Sequence, residues 1–290
     1  MIKRGLVFIL SIELFSSNLI FHVNQVINEI TGGRSMSKVV VVKGNDPAAM
    51  VPRGLRSLGV EVHRRKVVIK PNLIADRPYP VTTPTDTVEA LVKFFKKDNQ
   101  LIVAEGSGFG DTNTIYRNQG YVELANNHGV KLVDLNSGEF EVLKKAEAAV
   151  LKRFEFPLVL KSAYLISAAV LKQHSKARVT LSLKNMLGAT IGRDKGRFHK
   201  LGIEESIVDI NRYKRPDLAV IDGRLSLSSE LGGEQKRFDV MIFSNDPVAA
   251  DVVGATILGL DPSTVEHLKL AQAAKLGVCD LKKIKVVRLD

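Results

Sequence analysis

The sequence predicts an α/β fold in which mostly parallel strands form one or more sheets with helices on both faces. Uninterrupted β-branched runs, such as KVVVV at 38–42 and KVVIK at 66–70, are typical of strands covered on both faces. Segments with helical patterns alternate with such strands, as crossover helices of a parallel sheet do. With 290 residues, 45% of them hydrophobic, we expect two lobes around a central cleft, with a boundary near 150–165.

The first half of the chain continues this alternation. TPTDTVEALVKFFKK at 83–97 predicts a helix with Thr83 as its cap, Pro84 in its first turn and Asp86 completing a capping box. The further elements expected in this half are a strand at 100–106, a helix over about 113–127 and a strand at 130–135.

The second half has the same character. Buried strands are predicted at 163–171, 217–223 and 236–244, and a last strand at 283–289. Two helices are expected near the end, one beginning after Asn245 or Asp246 and one after Asp261. The stretch at 171–188 is ambiguous, because its apolar residues fit both a strand and a helix.

Residues 1–35 form an extension with three open interpretations. Lys3 and Arg4 precede an apolar run as in a signal peptide, but Glu13 interrupts the run and its length is marginal for a membrane span. The adjacent glycine codons before Met36 suggest instead a ribosome-binding sequence and a native start at Met36, and an amphipathic extension is the third interpretation. We expect no stable membrane span.

The net charge of +11 and a pI near 9.6 favour acidic partners. Nucleic acid is the less favoured one, because Trp is absent, aromatic residues make up 6% and the basic residues are dispersed. The single cysteine, Cys279, excludes an intramolecular disulfide framework and a cysteine-ligated iron-sulfur cluster held by this chain alone. A small anionic ligand and a reducing, cytoplasmic location are therefore predicted.

Polar residues follow two of the predicted strands, where ligands bind in open α/β sheets. Lys70 and Asn72 end the strand at 66–70, and Glu105, Gly106 and Gly108 follow the strand at 100–106. The alternate glycines of EGSGFGD loosely resemble a nucleotide-binding loop, with Asp134 near the position of a ribose-binding acid.

A cation-rich stretch at 170–188, followed by GRDKGRFHK at 192–200, predicts an anion site. The residues that we expect around a phosphate or carboxylate are Lys172, His174, Lys184, Asn185, Arg193, Lys195, Arg197 and His199. Lys176 and Arg178 are interpreted as ordinary surface charge. An alternative is a divalent metal held by His174 and His199 with one of Glu105, Asp222, Asp246 or Asp251.

Three acids of the second half of the chain are further candidates. Asp246, before Pro247, is interpreted mainly as a helix cap. Asp222 ends a predicted strand, and Asp251 interrupts an apolar helix, where an acid needs a partner that a cationic site would provide.

These motifs, in order, resemble the domain-of-unknown-function family 362 (DUF362) over about residues 38–280. VVIKPNL, TTP, EGSGFGDT, LKQHSKARVTLSLKNMLG, VIDG and SNDPVAAD carry the resemblance, and K-x-H followed by T-x-x-x-K-N-x-x-G is its most specific part. The resemblance implies that residues 36–290 are one α/β domain of this family. It also implies that Lys70, Asn72, Thr83, Glu105, Lys172, His174, Lys184, Asn185, His199, Asp222, Asp246 and Asp251 occupy motif positions.

Many members of the family carry a ferredoxin-like cysteine module, which this chain lacks, and the family supplies no settled reaction. The leading hypothesis is an enzyme in which Lys172 and Lys184 neutralise a small anionic substrate, Asn185 orients it and His174 acts as general acid/base. The alternatives are a non-catalytic ligand-binding or accessory protein that works with a separate iron-sulfur redox partner, and a nucleotide- or nucleic-acid-binding protein.

Overall fold

One sheet of nine strands runs through the computed structural model, which describes residues 36–290. In all, this part of the chain has eleven strands: β1 (Ser37–Lys43), β2 (Lys66–Pro71), β3 (Gln100–Glu105), β4 (Lys131–Asp134), β5 (Phe140–Lys144), β6 (Arg153–Pro157), β7 (Tyr164–His174), β8 (Arg178–Thr180), β9 (Leu218–Leu227), β10 (Gln235–Ser244) and β11 (Ile284–Leu289). β5 and β6 form a separate antiparallel pair outside this sheet.

Nine α-helices lie in the same described part of the chain. They are α1 (Pro47–Leu58), α2 (Thr85–Phe95), α3 (Thr112–Asn118), α4 (Tyr121–His128), α5 (Ser182–Asn185), α6 (Arg197–Leu201), α7 (Ile203–Tyr213), α8 (Pro247–Ile257) and α9 (Glu266–Ala273). The predicted α/β class is therefore confirmed.

The order of the strands in the sheet is β11-β1-β10-β9-β7-β2-β3-β4, with β8 paired to β7. β10 runs antiparallel to both of its neighbours and β8 antiparallel to β7, whereas the other pairs are parallel. Parallel pairing of β2 with β3 and β7 brings the carboxyl ends of these three strands to one edge of the sheet. That edge is where the polar motif residues lie.

Helices cover both faces of the sheet, as predicted. Alternate residues of β1 point to opposite faces, so Val40 and Val42 join one apolar cluster and Val39 and Val41 the other. The first cluster includes buried residues of α1 and α2, and the second includes buried residues of α7 and α8. Strands buried on both faces explain the uninterrupted β-branched runs of the sequence.

The two-lobe arrangement is not confirmed. β7, which follows the expected boundary at 150–165, pairs directly with β2 of the first half, so one sheet joins both halves of the described chain. The interpretations of residues 1–35 lie outside the described residues. Within residues 36–290, no helix combines the length and apolar character that crossing a membrane requires.

Some predicted boundaries were wrong. Thr83 is not the helix cap: α2 begins at Thr85, and the Thr83 hydroxyl instead donates to Ala168 O (2.7 Å) and accepts from Asn72 N (2.9 Å). The helix expected over 113–127 is divided into α3 and α4 at Gly120, whose φ of 78° lies in the left-handed region.

The ambiguous stretch at 171–188 is both strand and helix. β7 continues to His174, the chain turns back as β8, and α5 and a 3₁₀ turn at Met186–Ala189 follow. The apolar residues therefore follow the period of a strand in the first part of this stretch and that of a helix in the second part. Lys176 and Arg178, in and after the turn, are exposed, as expected.

Candidate functional site

A cavity of about 310 Å³ opens at the carboxyl ends of β2, β3 and β7. Most of the residues that the sequence singled out line it: Lys70, Asn72, Glu105, Gly106, Gly108, Lys172, His174, Lys184, Asn185 and His199, together with Arg193 and Lys195. The strand-end rule explains this convergence, because parallel strands end at one edge of the sheet. The role of these residues in binding stays a prediction.

A buried network of Lys70, Glu105 and Asn185 forms the floor of the cavity. The Lys70 ammonium donates to Glu105 Oε2 (2.9 Å), Asn185 Oδ1 (2.8 Å) and Pro71 O (2.8 Å), which uses all three of its protons. Glu105 accepts two more hydrogen bonds, from Leu73 N and Gly106 N. These groups satisfy one another, so Lys70 and Glu105 act as support for the site.

Three backbone N–H groups of the glycine-rich loop after β3 are occupied within the protein. Gly106 N donates to Glu105 Oε1 (2.7 Å), Ser107 N to Thr112 Oγ1 (3.1 Å) and Phe109 N to Ile74 O (2.9 Å). The resemblance to a nucleotide-binding loop therefore gains no support. A Cβ at Gly106 would lie 2.8 Å from Gly188 O, so close packing of two chain segments explains this glycine.

Lys172 and Lys184 stand on the wall of the cavity in different states. The Lys172 ammonium donates to Val81 O (2.6 Å) and Glu230 O (2.9 Å). Burial, aided by the charge of Lys184, lowers the pKa of Lys172 to about 7.

Lys184, on α5, is only 7% exposed, and its ammonium forms no hydrogen bond or ion pair with any residue of 36–290. Burial lowers its pKa to about 8, although the carboxylates of Glu230 and Glu204 oppose this shift. Lys184 is thus a buried cation that faces the cavity without a partner in the described chain.

His174 is held in one tautomer by the turn that follows β7. Its Nδ1 accepts hydrogen bonds from Lys176 N (3.0 Å) and Ala177 N (3.1 Å), so the proton of the neutral ring lies on Nε2. Burial and the nearby Lys184 lower the pKa of His174 to about 4. The ring stacks on His199 with centroids 5.9 Å apart. His174 is therefore placed as a neutral hydrogen-bond donor, so this geometry does not favour its acting as the base in the general acid/base role that we expected.

Glu230, in the turn between β9 and β10, also lines the cavity, and the sequence analysis missed it. Its carboxylate accepts from Ser175 N (3.1 Å) and Ser175 Oγ (2.9 Å) and lies 3.9 Å from His174 Nε2. Burial raises the pKa of Glu230, but a hydrogen bond from its own backbone, those from Ser175 and the nearby His174 ring when it is protonated outweigh burial and lower the pKa to about 2. No local motif marks this residue, because only the pairing of β9 with β10 brings its turn to the cavity.

Three cations of the 192–200 segment have partners within the protein. Lys195 donates to Thr190 O (2.7 Å), Thr190 Oγ1 (3.0 Å) and Gly192 O (2.7 Å). Arg193 pairs with Asp111, and Arg197 donates to Ile191 O. These contacts fix the segment against the cavity and leave Lys184 as the ammonium without a partner among the four lysines that line it.

Asp222 and Asp251 lie outside the cavity lining and have structural partners. Asp222 accepts from Thr87 Oγ1 (2.6 Å) and pairs with Arg224 (2.9 Å). Asp251 accepts from Ser182 N (2.8 Å) and Leu183 N (2.9 Å) and so holds the first turn of α5. The prediction of a cationic partner for Asp251 was wrong, because backbone N–H groups bind its carboxyl group instead.

Asp246 is the cap of α8, as the sequence indicated, and accepts from Val248 N and Ala249 N. The metal hypothesis required one carboxylate, from Asp246, Asp222, Glu105 or Asp251, to lie close to His174 and His199. Within residues 36–290, no three His, Cys, Asp or Glu side chains are grouped so that they could hold a metal ion.

Comparison with known proteins adds three findings. The family model described as "Domain of unknown function (DUF362)" matches residues 67–256. A thylakoid-associated protein of Synechocystis sp. (strain ATCC 27184 / PCC 6803 / Kazusa) is 25% identical over 228 residues, which cover 73% of this chain and 68% of that protein. No solved structure matches the chain.

Proposed function

Since the chain belongs to the DUF362 family, whose description assigns no activity, we propose from the cavity itself that the protein binds a small carboxylate or phosphate there. The observation that carries this proposal is the ammonium of Lys184, which reaches the cavity from a largely buried side chain and has no hydrogen-bond or ion-pair partner among residues 36–290. A buried charge without a partner is costly, and an anion that enters the cavity would relieve this cost.

The neighbours of Lys184 supply the further donors that an anion needs. His174 offers Nε2–H, because its Nδ1 is occupied by two backbone N–H groups. Lys172 keeps one ammonium proton beyond the two that it donates to Val81 O and Glu230 O. In this proposal Lys184 provides the charge, and His174 and Lys172 orient the oxygen atoms.

The charge balance of the cavity supports an anionic ligand. Lys70 neutralises Glu105 at 2.9 Å, so this pair contributes no net charge. Glu230 then faces Lys172 and Lys184, which leaves an excess of positive charge while both lysines are protonated. The site is thus predicted to attract an anion and to reject a cation.

Calorimetric titration with inorganic phosphate, lactate and pyruvate tests the proposal. Lys184→Met should weaken binding by about 10- to 150-fold, which corresponds to a charge-assisted hydrogen bond of about 1.5–3 kcal/mol. Lys176→Met is the matched control, because Lys176 is an exposed lysine of the neighbouring turn, and it should bind like the wild type.

Unfolding by urea separates binding from folding in the same variants. Replacing an unpaired buried ammonium by a side chain of similar volume should leave the ligand-free protein as stable as the wild type or more stable. The proposal fails if none of the three anions binds, or if Lys184→Met binds them as tightly as the wild type.

A further inference from the structure

We propose that Lys184 forms a Schiff base with the carbonyl group of a small oxo acid bound in this cavity. This inference rests on the proposed anion binding and adds a covalent step to it. An amine that attacks a carbonyl carbon must offer a free lone pair, so an ammonium held by several acceptors is unsuitable.

The four lysines of the cavity differ in this respect. Lys70 and Lys195 each donate to three oxygen atoms, and Lys172 donates to two. The Lys184 nitrogen has no such acceptor among residues 36–290. The structure therefore singles out Lys184 as the amine that can move, lose a proton and reach a ligand.

Burial favours the neutral amine of Lys184, although the nearby carboxylates of Glu230 and Glu204 oppose this. Burial lowers its pKa to about 8, and the neighbouring Lys172 and His174 are donors rather than acceptors on this wall of the cavity. At pH 7 roughly a tenth of the amine is then neutral, against well under a thousandth for an ordinary lysine. Desolvation of a lysine in a pocket is an established way to activate its amine.

The same wall explains why the carbonyl compound should carry a carboxylate. His174 Nε2–H and the remaining Lys172 proton bind the carboxylate, and the carbonyl carbon then meets Lys184. The ammonium and the carbonyl give an iminium and one water molecule, with the oxygen of the carbonyl leaving in that water. The step needs no oxidant or reductant, and one positive charge is kept on the nitrogen, so attraction to the carboxylate persists.

The apolar part of the cavity lining limits the size and character of the rest of the ligand. Ile74, Leu187, Leu231 and Phe109 line the cavity, and Phe109 is 59% exposed. A volume of about 310 Å³ is at the small end for ligand sites. We therefore infer an oxo acid with a short or compact apolar chain.

Borohydride trapping tests this step with the full chain. Incubation with pyruvate or glyoxylate and sodium borohydride should add one reduced adduct, visible in the intact mass, and peptide mapping should place it on Lys184. Lys184→Arg keeps the charge but has no nucleophilic amine, so it should lose the adduct while still binding lactate. Lys176→Arg, the exposed matched control, should retain the adduct.

The outcomes separate the two proposals. Lactate binding that depends on Lys184, without any trapped adduct from either oxo acid, would overturn the Schiff base and leave the anion site standing. An adduct that persists in Lys184→Arg or maps to another lysine would also overturn it. If neither lactate nor pyruvate binds and no adduct forms, both proposals fall.

Discussion

Replacing Gly188 by alanine should destabilise the protein through the buried network beneath the cavity. Gly188 lies in the 3₁₀ turn after α5, and its φ does not fall in the left-handed region. A Cβ there would stand 2.0 Å from Glu105 Oε1 and 2.8 Å from Lys70 Nζ. The glycine of the T-x-x-x-K-N-x-x-G pattern is thus required by the ion pair that it covers.

The size of the effect follows from the displacement. Ordinary contact begins at 3.4 Å, so the Glu105 oxygen or the turn must move by about 1.4 Å. Such a shift breaks the 2.7 Å hydrogen bond from Gly106 N. The buried N–H left without an acceptor costs about 1–3 kcal/mol, and the overpacking costs about 1–3 kcal/mol. The reduced conformational entropy of the unfolded alanine variant offsets about 0.4–1 kcal/mol of this cost, so the net destabilisation is about 1–6 kcal/mol.

Urea unfolding measures this cost, with Gly138→Ala as the matched control. A Cβ at Gly138 would meet only Asp134 O at 3.7 Å, an ordinary contact, and the φ of Gly138 is also outside the left-handed region. Gly138→Ala should therefore be unchanged or slightly more stable. Both variants change the unfolded chain alike, so equal stability of Gly188→Ala and Gly138→Ala would show that the network accommodates the added Cβ without cost, contrary to this prediction.

Two further predictions concern pH. Lactate affinity should be nearly constant between pH 5 and 6, because His174 is neutral above a pKa of about 4, and should fall as Lys172 and then Lys184 deprotonate around pKa values of about 7 and about 8. Calorimetry that shows constant affinity from pH 6 to pH 9 would contradict this. Burial raises the pKa of Asp251 from 3.8 to about 8, so the unfolded chain releases the proton first and stability is lost as pH rises through this window. The free energy of unfolding of the wild type relative to Asp251→Asn should therefore decrease from pH 4 to pH 8, and urea titrations that show no decrease would exclude this shift.

The sequence was sufficient for the fold class and for the place of the cavity. Apolar runs such as the one in β2 mark doubly covered strands, and the ends of parallel strands must meet at one edge. Lys70, Glu105 and Lys172 could be assigned to that edge without knowing the order of the strands, because each ends or lies near the end of such a strand.

The partners of the charged groups could not be predicted in this way. Asp251 holds Ser182 N across 69 positions of the chain, and Lys172 donates to Val81 O across 91 positions. Backbone groups carry no sequence signal, so the sequence indicates that a buried charge needs a partner but not that a main-chain atom provides it. For the same reason, the sequence could not predict the two backbone N–H groups that determine the tautomer of His174.

Whether a lysine has acceptors within the protein shows which charges of the cavity are explained by the fold. Four lysines line it, and three of them hold the ends of strands and loops together through oxygen atoms of the protein itself. These three bonded ammonium groups offset their own burial, so they are explained by the fold alone. Lys184 is buried to the same degree without such compensation from residues 36–290, and Asp251 fixes the helix that carries it. A partly desolvated charge that the fold leaves without an acceptor lowers stability, and a ligand that supplies the acceptor is the reason that we propose for its position.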